Sequence, residues 1–388
     1  MIYVFTSATL NYLPKVKMMA HSVRKYLPES KIVLAMADAV AADVDFSVYG
    51  IDEIIPISEK LCQVPNYNGW VFSHNVIELS TAIKPFVLVK LLEREDCEAV
   101  LYFDPDIVIF SKLDDLCASF ADYSILLTPH LTIPETKIEQ IVDNDLCVLR
   151  NGAYNLGFCG VKRSPEGLRY AKWWRDRVAL FCYDDVPRGI FTDQKWNDLT
   201  PGLFDEVKLL KSVRYNVSTW NTSQRHLSGD FKDGFKVNGE PLGFYHFTGF
   251  DNGDHEFMTK RHSSAVSCQM KLVEWYASEI NQAKKDPLCQ KKWQWNYFDS
   301  GLEIPKATRQ YYRNNKFLWQ TYPYPFNDSG NDNYLLWYKK YINPTDVCQM
   351  DINSLRIELN NIYLSRAWKL ALLLKKTKQM FLKLFSTN

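Results

Sequence analysis

Leu101-Tyr102-Phe103-Asp104-Pro105-Asp106-Ile107-Val108-Ile109-Phe110 is the stretch on which the reading of the fold turns. Two carboxylates stand two residues apart inside an otherwise apolar run. In a regular strand, residues i and i+2 face the same side, so the acids would lie close together. Like charges at that spacing repel unless a cation joins them. Pro105 has no backbone N–H and removes a ladder donor, so the strand ends or bulges there. A divalent ion that also holds a diphosphate answers both features, because hard oxygen ligands suit Mg²⁺ or Mn²⁺. On this motif alone a turn with two solvated acids is the alternative, and the apolar flanks on both sides weigh against it.

Before and around this stretch, strand and helix patterns alternate. Apolar strand runs fall at 2–5, 31–37, 51–57, 99–110 and 124–128, with helical spacing over 12–26 and 80–93. Such alternation predicts an α/β domain with a mostly parallel twisted sheet and helices on both faces. Ligands in such sheets collect beyond the carboxyl ends of the strands. From 150 to 250 the pattern loosens, with a strand at 154–161, a helix at 165–181 and short strands at 207–210 and 242–247. From about 265, helical stretches rich in Lys, Trp and Tyr take over, and 352–385 reads as one long helix. Three units are therefore expected: 1–264, a helical aromatic-rich extension over 265–350, and a basic amphipathic helix over 351–388.

The 388 residues carry 46 Lys+Arg against 45 Asp+Glu, a net charge of +1, which argues against a dedicated nucleic-acid binder. With 23% charged and 14% aromatic residues, disorder is excluded as well. The nine cysteines are scattered without a CxxC pair, so a zinc or disulfide framework is not expected and a reducing cytosol fits. No run reaches the roughly 18 uninterrupted apolar residues of a membrane span, and Met1 to Thr6 lacks the features of a signal peptide.

The ordered set of motifs resembles the GT-A fold of sugar-nucleotide glycosyltransferases, and more closely glycosyltransferase family 8 and its bacterial relatives in capsule and O-antigen synthesis. Thr6-Ser7-Ala8-Thr9-Leu10-Asn11-Tyr12 is similar to that family's nucleotide-contacting loop, with Thr9 where an Asp is frequent. Lys84 in Ala82-Ile83-Lys84-Pro85-Phe86 resembles the basic residue that approaches the donor diphosphate; a solvated helix lysine is the other reading. Tyr154-Asn155-Leu156-Gly157-Phe158 looks like the strand whose Asn bonds donor sugar hydroxyls and whose Gly permits close backbone approach. Thr192-Asp193-Gln194 resembles the signature beside the reacting carbon. His246-Phe247-Thr248-Gly249 matches the His-x-x-Gly signature, which makes His246 the third metal ligand beside Asp104 and Asp106.

The resemblance spans residues 1 to about 345 and implies a retaining, metal-dependent transferase. By that resemblance it is expected to use Mn²⁺ or Mg²⁺ and a UDP-sugar donor. Asn155, Asp193 and Gln194 are the expected catalytic residues. Thr6, Ser7, Thr9, Asn11, Tyr12, Lys84, Tyr102, Asp104 and Gly249 are the expected donor contacts. The acceptor is expected to be an oligosaccharide or a lipid-linked glycan. The family's Lys after the His motif has no match at short spacing, which leaves Lys260, Arg261 or His262 to replace it. A nucleotidyltransferase on the same fold would want a Gly-rich basic loop, and residues 6–14 hold no Gly. A glycan-binding module would not need Asp104, Asp106 and His246 together.

In the last segment, Arg366, Lys369, Lys375, Lys376, Lys378 and Lys383 interleave with Leu364, Trp368, Leu372, Leu373, Phe381, Leu384 and Phe385, and no acid follows Glu358. Two readings stand open: a basic interfacial helix on an anionic membrane, or a helix packed on the protein body. With the first, the chain is expected in the cytoplasm, peripheral at the inner face of the cell membrane.

Overall fold

The computed structural model describes residues 1–40, 44–262 and 267–342; the expected C-terminal helix lies outside the described residues. The early apolar runs become β1 (Ile2–Ala8), β2 (Lys31–Met36), β3 (Glu53–Pro56), β4 (Ala99–Phe103), β5 (Ile107–Ile109), β6 (Ile125–Pro129) and β7 (Tyr154–Lys162). Shorter strands follow: β8 (Asp184–Asp185), β9 (Ile190–Phe191), β10 (Val207–Leu209), β11 (Leu227–Asp230), β12 (Gly234–Val237), β13 (Glu240–Pro241) and β14 (Phe244–His246).

A seven-stranded sheet has the order β10-β6-β7-β4-β1-β2-β3. β7 runs antiparallel to both neighbours, β4 and β6, while the other neighbouring pairs are parallel. The expected mostly parallel α/β sheet is therefore what the chain forms. Alternate residues supply two cores. Tyr3, Phe5, Val33, Ala35 and Tyr102 pack toward the helices Lys84–Leu92 and Pro165–Val178. Val4, Ile32, Leu34, Leu101 and Phe103 pack toward α1 (Leu13–Tyr26). Cover on both faces explains why these strands read as nearly unbroken apolar runs.

One local reading changes, and two further stretches take shape. The helix expected over 80–93 is two helices, Val76–Ala82 and Lys84–Leu92. Asn75 opens the first with a capping box, accepting from the Ile77 and Glu78 N–H groups at 2.9 Å while Glu78 accepts from the Asn75 N–H. Pro85 sits in the first turn of the second, where its missing N–H is harmless. Residues 138–151, to which the sequence reading assigns no element, are helical throughout, with a π turn over Ile141–Asp145. Within 220–240, β11 and β12 pair as a hairpin.

The helical region after 267 shares its core with the α/β body. Phe72 meets Tyr312, Phe326 and Tyr334 edge to face, with ring centroids 5.2, 5.0 and 5.6 Å away. The Trp293 indole donates to the Ala37 carbonyl at 2.9 Å. Arg313 pairs with Glu78 at 3.2 Å, both side chains being 4% exposed. The cysteines among the described residues are free thiols, and five of them are buried. No helix among the described residues is long and apolar enough to cross a membrane.

Because Arg313 is the buried partner of a buried carboxylate, Arg313→Met should lower the unfolding free energy by about 3 kcal/mol in a urea titration. A loss below about 1 kcal/mol would show that the pair does not hold the helical region to the body.

Candidate active site

β4 ends at Phe103 and β5 begins at Ile107, so Asp104-Pro105-Asp106 forms the corner between the main sheet and the β5–β14 pair. The Ile107 N–H donates to the Asp104 carbonyl at 3.0 Å, closing a β-turn with Pro105 at its second position. The acids thus occupy a turn and not one face of a regular strand, because Pro105 breaks the ladder. They converge all the same. The Asp104 N–H is held by the Gly157 carbonyl at 2.7 Å, and the Asp106 carbonyl accepts from the Phe247 N–H at 2.9 Å. Antiparallel pairing of β14 with β5 sets His246 opposite Ile107. His246 Nε2 lies 3.0 Å from Asp106 Oδ1 and 3.8 Å from Asp104 Oδ2. One ligand atom from each of the three residues lies within 4.8 Å of the others.

The hydrogen bonds assign the imidazole tautomer. Asn155 Oδ1 accepts from the Gly157 N–H at 3.2 Å, which orients the amide, and the same oxygen faces His246 Nδ1 at 3.1 Å. Nδ1 therefore carries a proton. Nε2, at the other end of the same buried ring, faces the two carboxylates, with Asp106 Oδ1 the nearer. One nitrogen and two carboxylate oxygens of this kind fit a divalent cation. Burial pushes the Asp106 carboxyl up, but His246, with Lys15 beside it, outweighs this and holds it below the usual range. Gly157 is what admits the ring: a Cβ there would stand 2.5 Å from His246 Cε1 and 2.7 Å from Asn155 Oδ1.

Beneath this group runs a buried polar network. Lys84 Nζ reaches Asp104 Oδ1 at 3.2 Å, Asp193 Oδ2 at 3.3 Å and the Leu156 carbonyl at 3.2 Å, and it lies 4.5 Å from the Tyr102 ring centroid. Burial alone would lower the Lys84 pKa, and the two aspartates raise it above its ordinary value. For Asp193 burial dominates and raises the carboxyl despite Lys84. Tyr102 donates its hydroxyl to Asp104 Oδ1. Gln194 is tied at both ends, with Oε1 accepting from the Leu156 N–H at 3.1 Å and Nε2 donating to the Asn151 carbonyl at 3.0 Å. Asn155 Nδ2 faces His130 Nε2 at 3.2 Å, so His130 accepts as a neutral ring.

A cleft of about 410 Å³ opens above the turn. Its lining brings together Ser7, Thr9, Asn11, Tyr12, Lys84, Tyr102, Asp104, Asp106 and Gly249 of the expected residues. Thr6 is fully buried in β1 and is not among the lining residues, and Asn155, Asp193, Gln194 and His246 lie in the buried layer. Lys260 and Arg261 are engaged with Glu256 and Asp143 and do not line the cleft. Two lining residues that the motifs did not flag are Lys15 and Asp251, and His130 was missed in the layer below. Lys15 follows the opening motif by three positions, which was the available signal. A larger groove of about 760 Å³, beside β3 and the helix Lys84–Leu92, is lined by none of these residues.

No family model matches the chain. Two Bacillus subtilis (strain 168) proteins, the uncharacterized YfnF and YfnD, are 32% and 29% identical to it, each over 177 residues, or 45% of this chain. Those matches cover 57% and 54% of the relatives, so the chain spans just over half the length of the curated relatives it matches. Among solved structures, the galactosyltransferase LgtC in complex with donor and acceptor sugar analogs is similar at 18% identity and TM-score 0.39, covering 73% of this chain and 96% of that one. The glycosyltransferase GlyE of Streptococcus pneumoniae TIGR4 is similar at 14% identity and TM-score 0.41, covering 76% and 66%. Likenesses at these scores do not carry a function, which has to be argued from the side chains.

Two outcomes follow from the geometry. Gly157→Ala must displace His246 or Asn155, so Mn²⁺ affinity should fall at least about tenfold by calorimetry, one ligand being lost; unchanged affinity would contradict the assignment. Burial lowers the imidazoles of His74, His130 and His255 to about 4 from an ordinary 6.5. A lowered histidine is protonated first in the unfolded chain. Its stabilisation is therefore complete above about pH 6.5 and falls away as pH drops toward 4. Unfolding free energy should decline through that window, and less steeply in His130→Gln.

Proposed function

We propose that the chain is a metal-dependent glycosyltransferase that moves a sugar from a nucleotide donor, with UDP-sugars foremost, to a glycan or lipid-linked acceptor. The observation that carries this reading is the convergence of Asp104, Asp106 and His246 at a cleft walled by hydroxyl, amide and aromatic side chains. Held by these three residues, Mn²⁺ or Mg²⁺ would neutralise the charge that develops on the departing diphosphate. Ser7, Thr9, Asn11 and Tyr12 would contact the nucleoside, and Gly249 would let backbone approach the phosphates.

The buried layer would set the stereochemistry. Gln194 is a poor nucleophile and both ends of its amide are already bonded. The Asp193 carboxylate is engaged by Lys84 at 3.3 Å. Retention is what the family resemblance implies, and with no free carboxylate among the described residues poised to form a covalent glycosyl intermediate, front-face transfer is the retaining route that fits. Asn155 and Asp193 would orient the sugar, and the departing phosphate oxygen would take the acceptor proton. Residues 1–264 would form the transferase domain, 265–350 its extension, and 351–388 a peripheral contact with the inner face of the cell membrane.

A panel of nucleotide sugars assayed for hydrolysis with and without Mn²⁺ tests the reading. At least one UDP-sugar should turn over only with the metal, and Asp104→Asn should reduce that turnover at least about 100-fold with an unchanged circular dichroism spectrum. Near-normal turnover in the variant would contradict the metal assignment. An inverted anomeric linkage by NMR would contradict retention.

A further inference from the structure

The cleft contains a second lysine that the reading above leaves without a task. Lys15, in the first turn of α1, is only 4% exposed. Its Nζ lies 2.6 Å from Asp251 Oδ2, and the Tyr12 hydroxyl donates to the same oxygen at 2.8 Å. The Tyr12 ring centroid is 4.5 Å from the ammonium. Asp251 itself is 39% exposed and belongs to the segment Thr248–Asn252, all of which lines the cleft. Gly249 within that segment and Gly253 just after it have φ of +69° and +82°, left-handed backbone that favours glycine.

The pairing is asymmetric. A lysine this buried needs an anion, because an isolated ammonium in low dielectric is costly. The aspartate, more than a third exposed and on a loop, can give up its partner to water far more easily. Charge balance points the same way. Three aspartates line the cleft, Asp104, Asp106 and Asp251, against the lysines Lys15 and Lys84. Lys84 is fully engaged from below by Asp104, Asp193 and the Leu156 carbonyl. A diphosphate entering beside Asp106 would bring at least two negative charges, and the cation that can answer them by exchanging one anion for another is Lys15.

We propose that Lys15 binds a phosphate of the nucleotide, and that Asp251 is an intramolecular competitor that occupies the lysine until a phosphate displaces it. This rests on the nucleotide-donor reading and supplies the phosphate contact that Lys260 and Arg261 do not make. The exchange keeps Lys15 paired throughout, as a point-charge phosphate ligand.

Calorimetric titration with UDP and with uridine, both with Mn²⁺, tests it on the full chain. Lys15→Gln should weaken UDP about tenfold and leave uridine unchanged, and Lys15→Arg should restore most of the UDP affinity. Asp251→Asn should tighten UDP by several-fold, and that gain should vanish when it is combined with Lys15→Gln. Equal losses for UDP and uridine in Lys15→Gln, or weaker UDP binding in Asp251→Asn, would overturn the assignment. If the unaltered chain binds neither compound, the nucleotide reading fails with it. If it binds UDP and Lys15→Gln binds UDP equally well, the Lys15 assignment alone fails.

Discussion

Two carboxylates and an imidazole nitrogen are brought together at the corner where β4 leaves the main sheet. Two unit charges 4 Å apart repel by about 4 kcal/mol at an effective dielectric of 20, a cost that Lys84 beside Asp104 and His246 beside Asp106 offset. Several unrelated features hold the corner in place. Pro105 sets the turn, the β5–β14 pairing presents His246, and the Asn155 carbonyl oxygen fixes the proton on Nδ1. Gly157 leaves out the one methyl group that would push the ring away. Together these positions bring one imidazole nitrogen and two carboxylates into a grouping of the kind that fits a divalent cation.

The layer below meets the same demand. Lys84 joins Asp104 to Asp193, and Asp193 is anchored beside Gln194, whose amide is bonded at both ends. Buried polar groups are tolerated when their partners are in place, and such networks then fix geometry tightly. The consequence is a graded site. Asp104 and Asp106 line the cleft, Asn155, Asp193, Gln194 and His246 lie buried behind them, and Lys15 pairs across the cleft lining with the half-exposed Asp251.

Much of this was legible in the chain. The apolar runs at 2–5, 31–37 and 99–103 announced strands covered on both faces, and the family resemblance of the His-x-x-Gly motif grouped His246 with Asp104 and Asp106 although 140 residues separate the second acid from the imidazole. The turn itself was not legible, since alternation assumes a continuous ladder and Pro105 ends it. The helix across 138–151 was hidden for a different reason. Its Ile138, Val142, Leu146 and Leu149 are spaced for a helix, yet all are exposed, so no core demanded the pattern. Lys15 and Asp251 stand 236 residues apart and meet only through the fold.

Electron–nuclear double resonance on Mn²⁺ added to the chain with UDP addresses the central claim most directly. The account predicts tightly bound Mn²⁺ with a ¹⁴N coupling from a single imidazole and ³¹P couplings from the nucleotide, the nitrogen signal disappearing in His246→Gln. Bound Mn²⁺ without that nitrogen coupling, or Mn²⁺ affinity indifferent to Asp106→Asn and His246→Gln, would contradict it.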